Sequence, residues 1–93
     1  MNYSKEIIAF YDSMELESLS ASAMNLWHLL LHINIREGWA MEFTVSSNSL
    51  KLKGSLSESS FQRARKELVA RGFVTYRSRG SNLAPAYQMK RLH

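Results

Sequence analysis

Two stretches of this chain open on the same pair of residues and close on a glycine. Leu19-Ser20 precedes one run of periodic apolar residues, which Gly38 ends, and Leu56-Ser57 precedes a second, which Gly72 ends. A serine just ahead of such a run can accept a backbone N–H of the first helical turn. The leucine before it can staple onto the helix, Leu19 onto Met24 and Leu56 onto Phe61. A glycine just past the run takes the left-handed conformation that stops a helix. Two capped helices are therefore expected, one from Ser20 to about Arg36 and one over 57–71. Everything else must fit around them.

In the first of these helices Met24, Trp27, Leu30 and Leu31 share one face, with Leu26 and Ile33 at its flank. Asn34 falls inside that face and is expected as a buried amide tying down a neighbouring backbone carbonyl. Ahead of it, Tyr3, Ile7, Phe10, Tyr11 and Met14 recur at three- and four-residue spacing, the pattern of a short amphipathic helix. That stripe can cover the chain's own core or join two copies. An acidic, polar connection follows over Asp12 to Ser18. Met41 to Val45 is β-rich and predicts a short strand. Ser46, Ser47, Asn48 and Ser49 offer caps for a short helix through Lys53, and Gly54-Ser55 makes a turn. Beyond Gly72, Phe73 to Arg77 and Ala86 to Met89 predict two strands of a hairpin, joined by the turn-rich loop Ser78-Arg79-Gly80-Ser81-Asn82.

The order is helix, helix, strand, short helix, turn, helix, hairpin. A short helix, a glycine turn and a longer capped helix make a helix-turn-helix. A strand before it and a hairpin after it give the winged form. The expected fold class is therefore α+β, a winged helix-turn-helix over residues 1–93. It has a three-helix core and a β-hairpin wing at 73–90, with residues 1–14 as an N-terminal helical extension. A chain of 93 residues that is 45% hydrophobic is a single small domain. No apolar run approaches the ~18 residues of a membrane span. The absence of cysteine removes disulfides and thiolate chemistry and fits a reducing cytoplasm.

Charge is divided unevenly along this chain. Residues 1–50 carry two cations against six anions, a net of −4, and residues 51–93 carry ten cations against two anions, a net of +8. Such an asymmetry points the second half at a polyanion. On the 57–71 helix, Ser57, Phe61, Ala64 and Leu68 fall on one side, and Ser59, Gln62, Arg63 and Lys66 on the other. The outer side thus pairs two cations with two hydrogen-bonding side chains. Cations neutralise phosphates, while arginine can pair with guanine and glutamine with adenine in a major groove. Residues near the start of a recognition helix reach base edges most easily, so Ser59, Gln62 and Arg63 are candidate base contacts and Lys66 a phosphate contact. Arg77 and Arg79 flank the wing tip and can meet backbone or minor groove. Lys51 and Lys53 are candidate backbone contacts. Arg65, toward the core side, is expected to pair with a carboxylate, and Arg71 to complement its helix dipole. Lys90 and Arg91 are expected as a frayed tail. Glu58 suits the helix dipole but repels phosphate.

Enzyme chemistry finds little footing. His28 and His32 are spaced like two metal ligands, but no carboxylate lies one turn away on that face, and two exposed histidines are expected. No glycine-rich phosphate loop and no paired-carboxylate motif is present. No cofactor or metal is expected, and the partner expected from the residues is double-stranded DNA.

The stretch Leu19-Ser20-Ala21-Ser22-Ala23-Met24-Asn25-Leu26-Trp27-His28-Leu29-Leu30, then Asn34, Gly38-Trp39 and Phe43-Thr44-Val45-Ser46, resembles the N-terminal winged-helix domain of DnaD-type primosomal proteins and phage replisome organisers. The later run Leu56-Ser57-Glu58-Ser59-Ser60-Phe61-Gln62-Arg63-Ala64-Arg65-Lys66-Glu67-Leu68, with Gly72-Phe73-Val74 and Tyr87, is similar to the family's L-S-x-S-x-x-x-R-A-R-x-x-L pattern and following glycine. The likeness covers about residues 3 to 90. It implies a role in starting replication, with DNA binding, self-association into an oligomer, and a replicative helicase or other replisome protein as partner. Family members usually carry a second, helical domain after this one. These 93 residues correspond to the first, as a piece of a longer protein or as a reduced form. What carries over most directly is DNA binding by the winged helix. Two other readings stay open beside it: an interaction module that self-associates, through Tyr3, Ile7, Phe10, Tyr11 and Met14 or the hairpin edge, and a small transcriptional regulator.

Overall fold

Each of the four helices among the described residues begins where a side chain can accept a backbone N–H. Asn2 accepts from Lys5 N ahead of α1 (Tyr3–Asp12), and Ser20 from Ala23 N ahead of α2 (Ala21–Arg36). The strand β1 (Phe43–Thr44) follows. Ser46 then accepts from Ser49 N ahead of α3 (Ser47–Gly54), and Ser57 from Ser60 N ahead of α4 (Glu58–Ala70). Strands β2 (Val74–Arg77) and β3 (Ala86–Met89) complete the chain. The computed structural model describes residues 2–93. Its fold is α+β, with one three-stranded antiparallel sheet in the order β1-β3-β2.

The stops of α2 and α4 share one geometry. Gly38 and Gly72 are left-handed, at φ 70° and 78°. Trp39 N then bonds Asn34 O and Gly38 N bonds Ile35 O, while Phe73 N bonds Leu68 O and Gly72 N bonds Val69 O. These paired bonds satisfy carbonyls the last helical turn would leave open. At the end of α3 the expected glycine role is displaced by one residue. Ser55 is the left-handed residue at φ 52°, and Gly54 stays helical and buried. A Cβ on Gly54 would sit 3.2 Å from Leu56 Cδ1, and its carbonyl accepts from Asn25 Nδ2 at 2.7 Å. The missing side chain leaves room for Leu56, which leads into α4.

The sheet registers Phe43 with Tyr87 and Thr44 with Ala86, then Val74 with Met89 through Arg77 with Ala86. Met41 and Glu42 stand outside the ladder, so the first strand is shorter than its composition predicts. The core gathers Leu26, Trp27, Leu30 and Leu31 of α2 with Phe61, Ala64 and Leu68 of α4, closed by Phe73, Val74 and Tyr87. The N-terminal stripe covers this same core. Phe10 is buried and lies parallel to Trp27, ring centroids 3.6 Å apart, with Ile7 and Met14 packed nearby. Tyr3 and Tyr11 remain exposed.

Three expectations need correction. Residues 90–93 are tied down rather than frayed. Lys90 N donates to Phe73 O, and Leu92 N and His93 N donate to the carboxylate of the buried Glu6 at 3.1 and 3.3 Å. Asn34 holds Ala40 O through Nδ2 as expected, and its Oδ1 accepts from the Arg91 guanidinium at 3.0 Å, which also donates to Trp39 O. A buried amide oxygen and a carbonyl at the helix end are strong reasons for an arginine to settle there. His28 is not fully exposed, because α1 crosses α2 at that point. Its ring stands edge-on to Phe10 and Trp27, with Nε2 3.2 Å from the Tyr11 hydroxyl. His32 is exposed as expected. Finally, Arg71 does more than face a helix dipole: it donates to the carbonyls of Glu17 and Ser18.

Two predictions follow from these contacts. Arg91→Ala leaves the buried Asn34 oxygen without its donor, and urea unfolding should show a loss of about 1–3 kcal/mol. Burial lowers the His28 pKa from its ordinary 6.5. The unfolded chain therefore takes up this proton more readily than the folded one. The His28 contribution to stability is full above about pH 6.5 and declines as pH falls from there toward the lower folded value. Thermal melts should show His28→Asn losing less stability than the parent chain over that acid range.

Candidate nucleic-acid interface

The helix α4 divides into four sides at 100° per residue. Phe61, Ala64 and Leu68 face the core. Glu67 and Arg71 turn toward the start of α2. Glu67 accepts from Ser20 N at 2.9 Å and from the Ser20 hydroxyl at 2.7 Å. Position 23, where a helix opened by a serine can carry its own glutamate to close the cap, is alanine, and α4 supplies that carboxylate instead. Arg65 turns toward the sheet. Ser59, Arg63 and Lys66 face solvent, with Gln62 beside them, and all four are exposed.

Arg65 has no carboxylate partner among the described residues, contrary to expectation. Its guanidinium lies 3.8 Å over the Tyr76 ring and donates to the Tyr87 hydroxyl and to Gln62 Oε1. Two ring faces and two neutral acceptors give this planar cation the contacts an ion pair would have supplied. Burial pushes the Tyr87 hydroxyl pKa up, opposed in part by Arg65.

The candidate contacts do not all stand free. Lys51 meets Glu58 at 2.8 Å, at the head of α4. The Gln62 amide donates to the other oxygen of Glu58 at 2.9 Å. These contacts, Lys51 first, hold the Glu58 carboxyl below its ordinary range, so it is charged at neutral pH. Glu58 therefore neutralises a cation at the edge of the face as well as adding charge to it. Arg77 alternates to the sheet surface away from α4 and meets Glu42 at 2.9 Å. Arg79 donates to Ala84 O and braces its own loop. Lys53 lies apart from α4, in a groove with His32, Arg36 and Thr44. Arg63 and Lys66 make no ion pair or side-chain hydrogen bond among the described residues. These two cations stand one turn apart on the solvent side of the capped helix α4.

Sequence reasoning did not find the Ser20–Glu67 clasp, the Arg65–Tyr76 stack or the hold of Glu6 on the last residues. Each joins residues far apart in the chain, and no local spacing signals it. Among the described residues no three His, Asp or Glu side chains gather as a metal would require, and no helix is long and apolar enough to cross a membrane. Compared with protein-family models, with curated proteins and with solved structures, the chain matches none.

Proposed function

We propose that this chain is a winged helix-turn-helix that binds double-stranded DNA, of the kind DnaD-type primosomal proteins and phage replisome organisers use in replication initiation. One observation carries the reading. The outward side of α4 presents Arg63 and Lys66 free of internal partners, on a helix whose other sides are packed or clasped. The element order and the antiparallel hairpin after α4 are compatible with a winged helix.

In this reading α4 enters the major groove. Arg63 offers a planar pair of donors to a guanine edge, and Ser59 and Gln62 offer shorter hydrogen-bonding groups beside it. Gln62 exchanges its hold on Glu58 and Arg65 for a base when it does so. Lys66 neutralises a phosphate. Arg79 and Arg77 lie on the wing and meet the backbone, Arg77 by exchanging Glu42 for phosphate. Lys51 reaches a phosphate near the head of α4 on leaving Glu58.

Titrating duplex DNA across a salt series tests this directly. If Lys51, Lys66, Arg77 and Arg79 meet phosphates, log K falls with log salt at a slope of about −3.6. Arg63→Ala with Lys66→Ala should reduce the magnitude of that slope by about 1, for the phosphate contact of Lys66, weaken binding further through the lost guanine pair of Arg63, and leave the melting temperature unchanged. Undiminished binding by the double variant takes α4 out of the interface. Glu58→Gln removes a carboxylate from the face and releases Lys51, so it should tighten binding at neutral pH in the same titration. Unaltered affinity would place Lys51 and the head of α4 away from the DNA.

A further inference from the structure

Beside the outward side of α4, between that helix and β2, an open groove of about 470 Å³ is lined by Gln62, Arg65, Lys66, Val69, Ala70 and Tyr76. Its floor is apolar, with Val69 and Tyr76 42% and 38% exposed. Its rim is cationic. Arg65 is fixed over Tyr76, and Lys66 is free of an ion-pair partner. Such a groove suits an apolar side chain carried between carboxylates.

The chain has one segment of that chemistry. Several large apolar side chains stand exposed, among them Met41, Leu52, Leu83 and Leu16. Leu52 lies between Lys51 and Lys53, the wrong sign for a basic rim. Met41 adjoins a single carboxylate, Glu42, which Arg77 already engages, so no free carboxylate stands beside it. Leu83 lies in the wing loop with no carboxylate beside it in sequence. Leu16 is 101% exposed and sits between Glu15 and Glu17. Glu15 has no ion-pair partner among the described residues, while the Glu17 carboxylate meets Arg71 at 3.5 Å. The segment is also held in place, because Arg71 donates to the Glu17 and Ser18 carbonyls. A pre-positioned segment loses less conformational freedom on docking.

We propose that Glu15-Leu16-Glu17 of one molecule docks in the α4–β2 groove of a second copy, with Leu16 on the apolar floor and the free Glu15 carboxylate against Lys66. The contact is small, so the association is weak and loosens with salt. It does not rest on the DNA reading and is measured with no DNA present.

Sedimentation velocity on the full chain, over a concentration series reaching the millimolar range at low salt, tests it. The parent chain should associate. Leu16→Ser, at a side chain that touches no core, should keep its melting temperature and weaken association about tenfold or more. Glu15→Lys and Lys66→Glu should each weaken it, and a chain carrying both should recover it. A parent chain that stays monomeric throughout overturns the proposal. So does association that keeps its strength in Leu16→Ser, which would assign the contact to another surface. A chain that associates in this way but shows no salt-dependent DNA binding would remove the DNA reading and leave this one standing.

Discussion

The contact on which the arrangement of this protein depends is the carboxylate of Glu67 closing the first turn of α2. A helix start leaves backbone N–H groups open, and Ser20 answers one of them. Its own N–H and hydroxyl are then answered by a residue 47 positions later. This joins the start of one core helix to the middle of the other. Arg71 repeats the link one turn on, at the carbonyls of Glu17 and Ser18. With that side of α4 clasped and another packed into the core, the rotation of the helix is set. Arg63 and Lys66 can then face only outward.

Five of the ten cations of the second half are already engaged with other parts of the fold, in two different ways. Arg65, Arg71 and Arg91 are internal struts, laid on rings or bonded to carbonyl and amide oxygens. Arg77 and Lys51 are paired across exposed surface, where such contacts are worth little and exchange readily. The cationic charge left without an internal partner is therefore smaller than the sequence sum, and Arg63 and Lys66 of α4 are part of it.

Most of the architecture was legible because it is written in local chemistry. Leu19-Ser20, Leu56-Ser57, Gly38 and Gly72 act on backbone groups within a turn of themselves, and the helices begin and end where those residues place them. Asn34 was legible for a related reason, since an amide on an apolar face must find a backbone partner. Gly54 stays helical where a Cβ would crowd Leu56, and the left-handed position passes to Ser55, a choice set by packing rather than by the turn residues themselves. Arg65 and Arg91 were misjudged for the same reason. Their partners, Tyr76, Tyr87, Asn34 and Trp39, come together only after the sheet has closed on the helices. The outer face of α4 could be listed from periodicity alone, but which of its cations are already occupied could not.

The hold of Glu6 on Leu92 and His93 has a consequence for how the molecule assembles. It is a bond between the two extremities of the described chain, so its enclosed loop is nearly the whole sequence. The entropy of closing so long a loop is recovered most easily once the intervening elements have already shortened the path. The tie between Glu6 and the last residues therefore closes at least cost once the helices and sheet between them are in place. Because Glu6 answers the backbone of Leu92 and His93, loss of the residues at one extremity of the described chain frees a buried carboxylate at the other.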